Sequence, residues 1–121
     1  MATDLNPEHR ERILLEILTD CLDDWIPVDR VIGYAEEAVE EYGGQPPAVF
    51  RALLGTLLER ALVTVGDIGD SGYEPWDGTA SEVLERTVNA CEELGWDPRL
   101  AGPWVASTPE GDRLAEAHAS S

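Results

Sequence analysis

The chain has 121 residues, 43% of them hydrophobic, and sets 25 Asp and Glu against 8 basic residues, all arginine, for a formal net charge of −17. A field of that sign repels phosphate backbones and attracts cationic surfaces, which disfavours direct nucleic-acid binding. The length suits one domain spanning 1–121; with no apolar run of about eighteen residues and no cationic-then-apolar start, neither a membrane span nor a secretory leader is expected.

Over residues 8–22, Ile13, Leu14, Ile17, Leu18, Cys21 and Leu22 recur at helical spacing behind Asn6 and Pro7, predicting an amphipathic helix with a cap and a first-turn proline. After a turn at Asp23-Asp24-Trp25, Pro27 opens a second helix carrying Val28, Val31, Ile32, Ala35, Ala38, Val39 and Tyr42, stopped by Gly43-Gly44. Gln45-Pro46-Pro47 opens a third, near 46–60, with Val49, Phe50, Leu53, Leu54, Leu57, Leu58 and Ala61 forming a wide apolar face. The period then changes. Leu62-Val63-Thr64-Val65 and Trp104-Val105-Ala106-Ser107 are β-branched runs that pair best as one antiparallel hairpin. The 67–102 excursion between them is too long for a bare loop, and it holds a helix near 80–95, with a capping box at Thr79–Glu82 and a stop at Gly95. Thr108-Pro109-Glu110 starts a short terminal helix, and the tail from His118 is expected to fray. The expected class is mainly α with a small antiparallel β-hairpin, an α+β fold.

The helix, helix, helix, strand, excursion, strand, helix order resembles a winged-helix domain. The likeness rests on residues 57–65, running from the third helix into a strand, and on residues 104–111, running from a strand into the closing helix at Thr108-Pro109-Glu110-Gly111. It implies a helical insertion in place of the wing. The segments Gly66-Asp67 and Gly72-Tyr73-Glu74-Pro75-Trp76-Asp77-Gly78 also resemble those of small uncharacterised acidic actinobacterial proteins, which implies no activity. In winged-helix regulators the third helix enters the major groove and the wing contacts phosphates. Here that helix offers Arg51, Thr56 and Arg60 beside Glu59, while the expected wing carries Asp67, Asp70, Glu74 and Asp77 with no cation beside them. A DNA-binding regulator is therefore the alternative reading, one that a homodimer clustering Arg10, Arg12, Arg51 and Arg60 would favour.

The carboxylates crowd together. From Glu16 to Glu41 there are nine, Glu16, Asp20, Asp23, Asp24, Asp29, Glu36, Glu37, Glu40 and Glu41, against Arg30 alone. Glu16 with Asp20, Asp20 with Asp24, Glu36 with Glu40 and Glu37 with Glu41 are like-charged i,i+4 pairs, each costing about 0.2–0.5 kcal/mol on a helix. Several also stand at helix C-termini, where negative charge opposes the dipole by about 0.3–1 kcal/mol each. Such crowding is relieved by a positively charged partner. Proteome-wide adaptation to high salt also enriches acid, so placement decides between the two. Trp25 and Trp76, each in a loop among carboxylates, are candidate anchors for the same partner.

The candidate partner-binding set is thus Asp20, Asp23, Asp24, Trp25, Glu36, Glu37, Glu40, Glu41, Asp67, Asp70, Glu74, Trp76 and Asp77. No catalytic constellation, calcium loop, zinc spacing or phosphate-binding glycine loop is legible, so no enzyme activity, metal or cofactor is expected. Cys21 and Cys91 lie on apolar helix faces, as buried free thiols of a reducing cytoplasm do. The expected function is non-enzymatic capture of a basic protein, in the manner of an immunity protein, an antitoxin or a DNA mimic.

Overall fold

The computed structural model describes residues 5–120. The expectation of no secretory leader rests in part on residues 1–4, which lie outside that range. Among the described residues nine elements follow one another: α1 (Pro7–Cys21), β1 (Ile26–Pro27), α2 (Val28–Tyr42), α3 (Pro46–Glu59), β2 (Val63–Gly69), β3 (Gly72–Pro75), α4 (Ala80–Glu93), β4 (Trp104–Ser107) and α5 (Pro109–Ala119). The protein is mainly helical with a small antiparallel sheet.

The four long helices form where the apolar stripes predict them. The Asn6 side chain caps α1 by accepting from the Glu8 amide at 2.7 Å, and Thr79 and Glu82 form the reciprocal capping box of α4. Gly43 and Gly44 end α2 in the left-handed region, at φ 90° and 101°. The stripes of α1, α2 and α3 meet in one cluster around Phe50, with Leu14, Ile17, Leu18, Leu53, Leu54 and Leu57 fully enclosed.

The sheet is larger than the expected hairpin. β2 and β4 pair antiparallel as anticipated, Val65 opposite Val105, but the strand order is β1-β4-β2-β3. β1 is two residues long and ends in Pro27, which the sequence reading assigns to the start of a helix; an edge position tolerates its missing N–H. β2 continues past Gly66 to Gly69 and folds back through Asp70-Ser71 into β3, where the sequence reading places only loop. A Cβ at Gly66 would lie 2.1 Å from the Glu74 carbonyl oxygen, so β3 approaches this closely only because residue 66 is glycine.

The excursion packs on its own chain. α4 lies along α3, with Leu84 Cδ2 3.3 Å from where a Cβ of Gly55 would stand, and the return segment sets Trp96 edge-on to Phe50 at 5.3 Å. α5 packs against α1 and runs to Ala119, which corrects the expected fraying from His118. Buried Ala115, with Leu114 packed against the core, holds it down.

Candidate partner-binding surface

Seven of the eight arginines engage partners of their own chain. Arg12 lies 3.8 Å from Glu16 and 3.9 Å from Glu41 and donates to the Tyr42 hydroxyl at 2.7 Å. Arg30 meets Asp20 at 3.1 Å, Arg60 meets Glu11 at 2.9 Å, Arg99 meets Asp97 at 3.0 Å, Arg113 meets Glu110 at 2.6 Å, and Arg51 pairs closely with Glu85. The Arg86 guanidinium sits 3.8 Å over the Trp76 ring. Cation use is therefore almost complete.

Against that accounting the candidate residues divide. Asp20 is half-buried and accepts from both Arg30 and the Tyr34 hydroxyl, the latter at 2.7 Å; burial, reinforced by Asp20, pushes the Tyr34 hydroxyl up from its ordinary range. Its charge is matched inside the fold, as is that of Glu41 beside Arg12. This corrects the sequence argument that Asp20 and Glu41 stand unrelieved at helix ends. The Asp29 carboxylate, at the start of α2, accepts from the Leu100 amide at 3.3 Å. By contrast, Glu36, Glu37 and Glu40 are exposed on α2 and Asp23 is exposed just after α1, and none has a hydrogen-bond or ion-pair partner among the described residues.

The hairpin carries two faces. Asp67 and Glu74 lie opposite each other, and Asp67 accepts from the Trp76 indole N–H at 2.7 Å. With Arg86 on its ring, Trp76 is engaged by its own chain, and the expected wing is not free of cations. Asp77 is exposed nearby. Ile68 opposes Tyr73, which stacks on Trp25 with ring centroids 5.7 Å apart and shares a 2.7 Å hydrogen bond with Thr64. Trp25 and Ile68 remain 42% and 43% exposed, a level unusual for side chains so large. Asp70 occupies the turn beside them.

Apart from Asp20, held within α1, the candidates fall into three groups: the outer face of α2, the turn after α1 with the Ile68 side of the hairpin, and the Trp76 side of the hairpin facing α4. Tyr73 and Ile68 escape sequence reasoning because their meeting with Trp25 depends on the β2–β3 register. On α3, the Thr56 hydroxyl donates to the Ala52 carbonyl oxygen at 2.8 Å, and Arg51 and Arg60 are held in ion pairs.

Both cysteines are buried and unpaired, as the apolar stripes predict. Burial, aided by Asp20, pushes the Cys21 thiol up to about 12, and burial, aided by Asp29, pushes Cys91 up to about 11. Both are protonated at neutral pH. Among the described residues no helix is long and apolar enough to cross a membrane. No family model, curated protein or solved structure matches the chain.

Proposed function

We propose that this protein is a non-enzymatic acidic interaction module on a winged-helix-like scaffold, which captures a basic protein in the manner of an immunity protein, an antitoxin or a DNA mimic. The scaffold reading rests on the α1-β1-α2-α3-β2 order closed by β4, with β3 and α4 inserted where a wing would stand. One observation carries the functional reading: the arginines are almost all consumed by intramolecular partners, while Glu36, Glu37, Glu40 and Asp23 have none among the described residues. Complementary charge of this kind accelerates association and selects partners. The duplex-reading alternative has less support, because α4 lies along α3, where major-groove readers present their contacts, and Arg51 and Arg60 are already paired.

Two measurements test this. Captures from native cell lysate are compared for the wild type and the Glu36→Lys, Glu37→Lys, Glu40→Lys triple variant, and the wild type is titrated with duplex DNA at about 0.1 M salt. The expected result is a basic protein retained by the wild type, lost in the variant, and no duplex binding. Duplex binding that disappears in Arg51→Glu and Arg60→Glu would overturn the proposal in favour of a regulator.

A further inference from the structure

Resting on that reading, we propose that the groove between the α1–β1 turn, the end of β4 and the start of α5 receives an arginine side chain of the basic partner, with Trp25 as its stacking platform. The groove has a volume of about 340 Å³ and is bordered by Leu22, Asp23, Asp24, Trp25, Ser107 and Asp112. Ligand sites span about 300–1,000 Å³, so this one is suited to a single long side chain and not to a bulky cofactor.

The aromatic surface makes the case. Trp25 stacks on Tyr73, borders the groove and is still 42% exposed. With Ile68 exposed beside Tyr73, this apolar patch is uncovered in the isolated chain. The molecule already shows what such a ring does with a guanidinium: Arg86 lies 3.8 Å over Trp76, backed by the Asp67 carboxylate on the indole N–H. At Trp25 the ring and the carboxylates are present, and no arginine is among the bordering residues.

Charge selects the occupant. The Asp24 carboxylate accepts from the Trp25 amide at 2.8 Å; among the described residues the Asp112 carboxylate accepts only from the Ser107 hydroxyl, and Asp23 has no partner. α1 ends at this groove with no basic residue in its last turn, so its C-terminal carbonyls add partial negative charge. An arginine suits such a site better than a lysine, because its flat, weakly hydrated guanidinium stacks on a ring while donating to several carboxylates. A neutral or acidic side chain would meet repulsion or leave the carboxylates unanswered.

The test needs no knowledge of the partner. An acetylated, amidated Gly-Arg-Val-Arg-Gly peptide and its citrulline twin, which keeps the shape and loses the charge, are titrated into the full chain at about 20 mM salt with ¹H–¹⁵N spectra recorded. The arginine peptide is expected to give saturable shifts of the Trp25 indole N–H and of amides in 22–25 and 106–112, and the citrulline peptide none. Trp25→Ala should weaken binding about tenfold, in line with a desolvated cation–π contact, while Trp25→Phe should retain most of it. Thermal unfolding of both variants checks that they remain folded. Shifts centred on α2, binding unchanged in Trp25→Ala, or equal binding of the citrulline peptide would overturn the assignment. The Glu36→Gln, Glu37→Gln, Glu40→Gln variant should bind the peptide normally; the groove and the α2 face therefore fail independently, since loss of native-partner capture on α2 charge reversal bears on the parent reading alone.

Discussion

Glu40 and Asp20 look alike in the sequence, each a carboxylate in the last turn of a helix with a like-charged neighbour four residues away. The structure assigns them opposite roles in stability. Glu40 is exposed and has no partner among the described residues, in a last turn that lacks any basic residue. Replacing it by lysine removes the repulsion with Glu36, about 0.2–0.5 kcal/mol, and turns it into attraction. It also reverses an unfavourable dipole interaction of about 0.3–1 kcal/mol. Together these give a stabilisation of about 1–2 kcal/mol for Glu40→Lys at low salt, after allowance for solvent exposure. For a chain of this size that corresponds to a rise in Tm of about 4–8 °C. Asp20→Ala should move the other way by about 1–3 kcal/mol, because it strips Arg30 of its ion partner and the Tyr34 hydroxyl of its acceptor. Thermal unfolding followed by circular dichroism at about 10 mM and about 1 M salt separates the effects, since screening should erase most of the Glu40→Lys gain. If Glu40→Lys is neutral or destabilising at low salt, the α2 carboxylates are satisfied in the isolated chain and the reasoning fails.

Two further outcomes follow from the packing. Gly66→Ala should cost about 2–4 kcal/mol, since its Cβ has backbone on the far side and no flexible side chain to displace; hydrogen exchange should show the amides of 66–75 losing protection before those of α1. A Gly66→Ala protein as stable as the wild type would rule out the close β2–β3 crossing. Cys21 and Cys91 should resist alkylation at pH 8 in the folded protein and react promptly once unfolded. Because their folded values lie above the ordinary value of 9, the stabilisation they contribute is complete below about pH 9 and is lost as pH rises toward about 11 and 12. Rapid labelling without unfolding would contradict their burial.

Helical periodicity made α1 to α4 legible because each buries a broad stripe in a common core, and that pattern is written locally. β1 and β3 were hidden for a physical reason. Two residues carry no periodicity, and Gly66, Gly69, Gly72 and Pro75 weaken the strand signal of the hairpin while one of them permits its tight crossing. The acidic character of the surface was equally plain, but not which charges were already answered. Arg12 with Glu41 and Arg30 with Asp20 join different helices, so only the packing reveals them. The groove was half legible: Asp23, Asp24 and Trp25 are contiguous, whereas Tyr73, Ser107 and Asp112 arrive through strand register and the docking of α5.

The most direct test of an acidic surface built to receive a cationic partner is the dissociation constant of the captured basic protein, measured across salt concentration. It should be compared for the wild type and the Glu36→Lys, Glu37→Lys, Glu40→Lys variant. Wild-type binding should be steeply salt-dependent, whereas the variant should be more heat-stable yet bind about 100-fold more weakly with a shallow salt dependence. Equal affinities and equal slopes would contradict this.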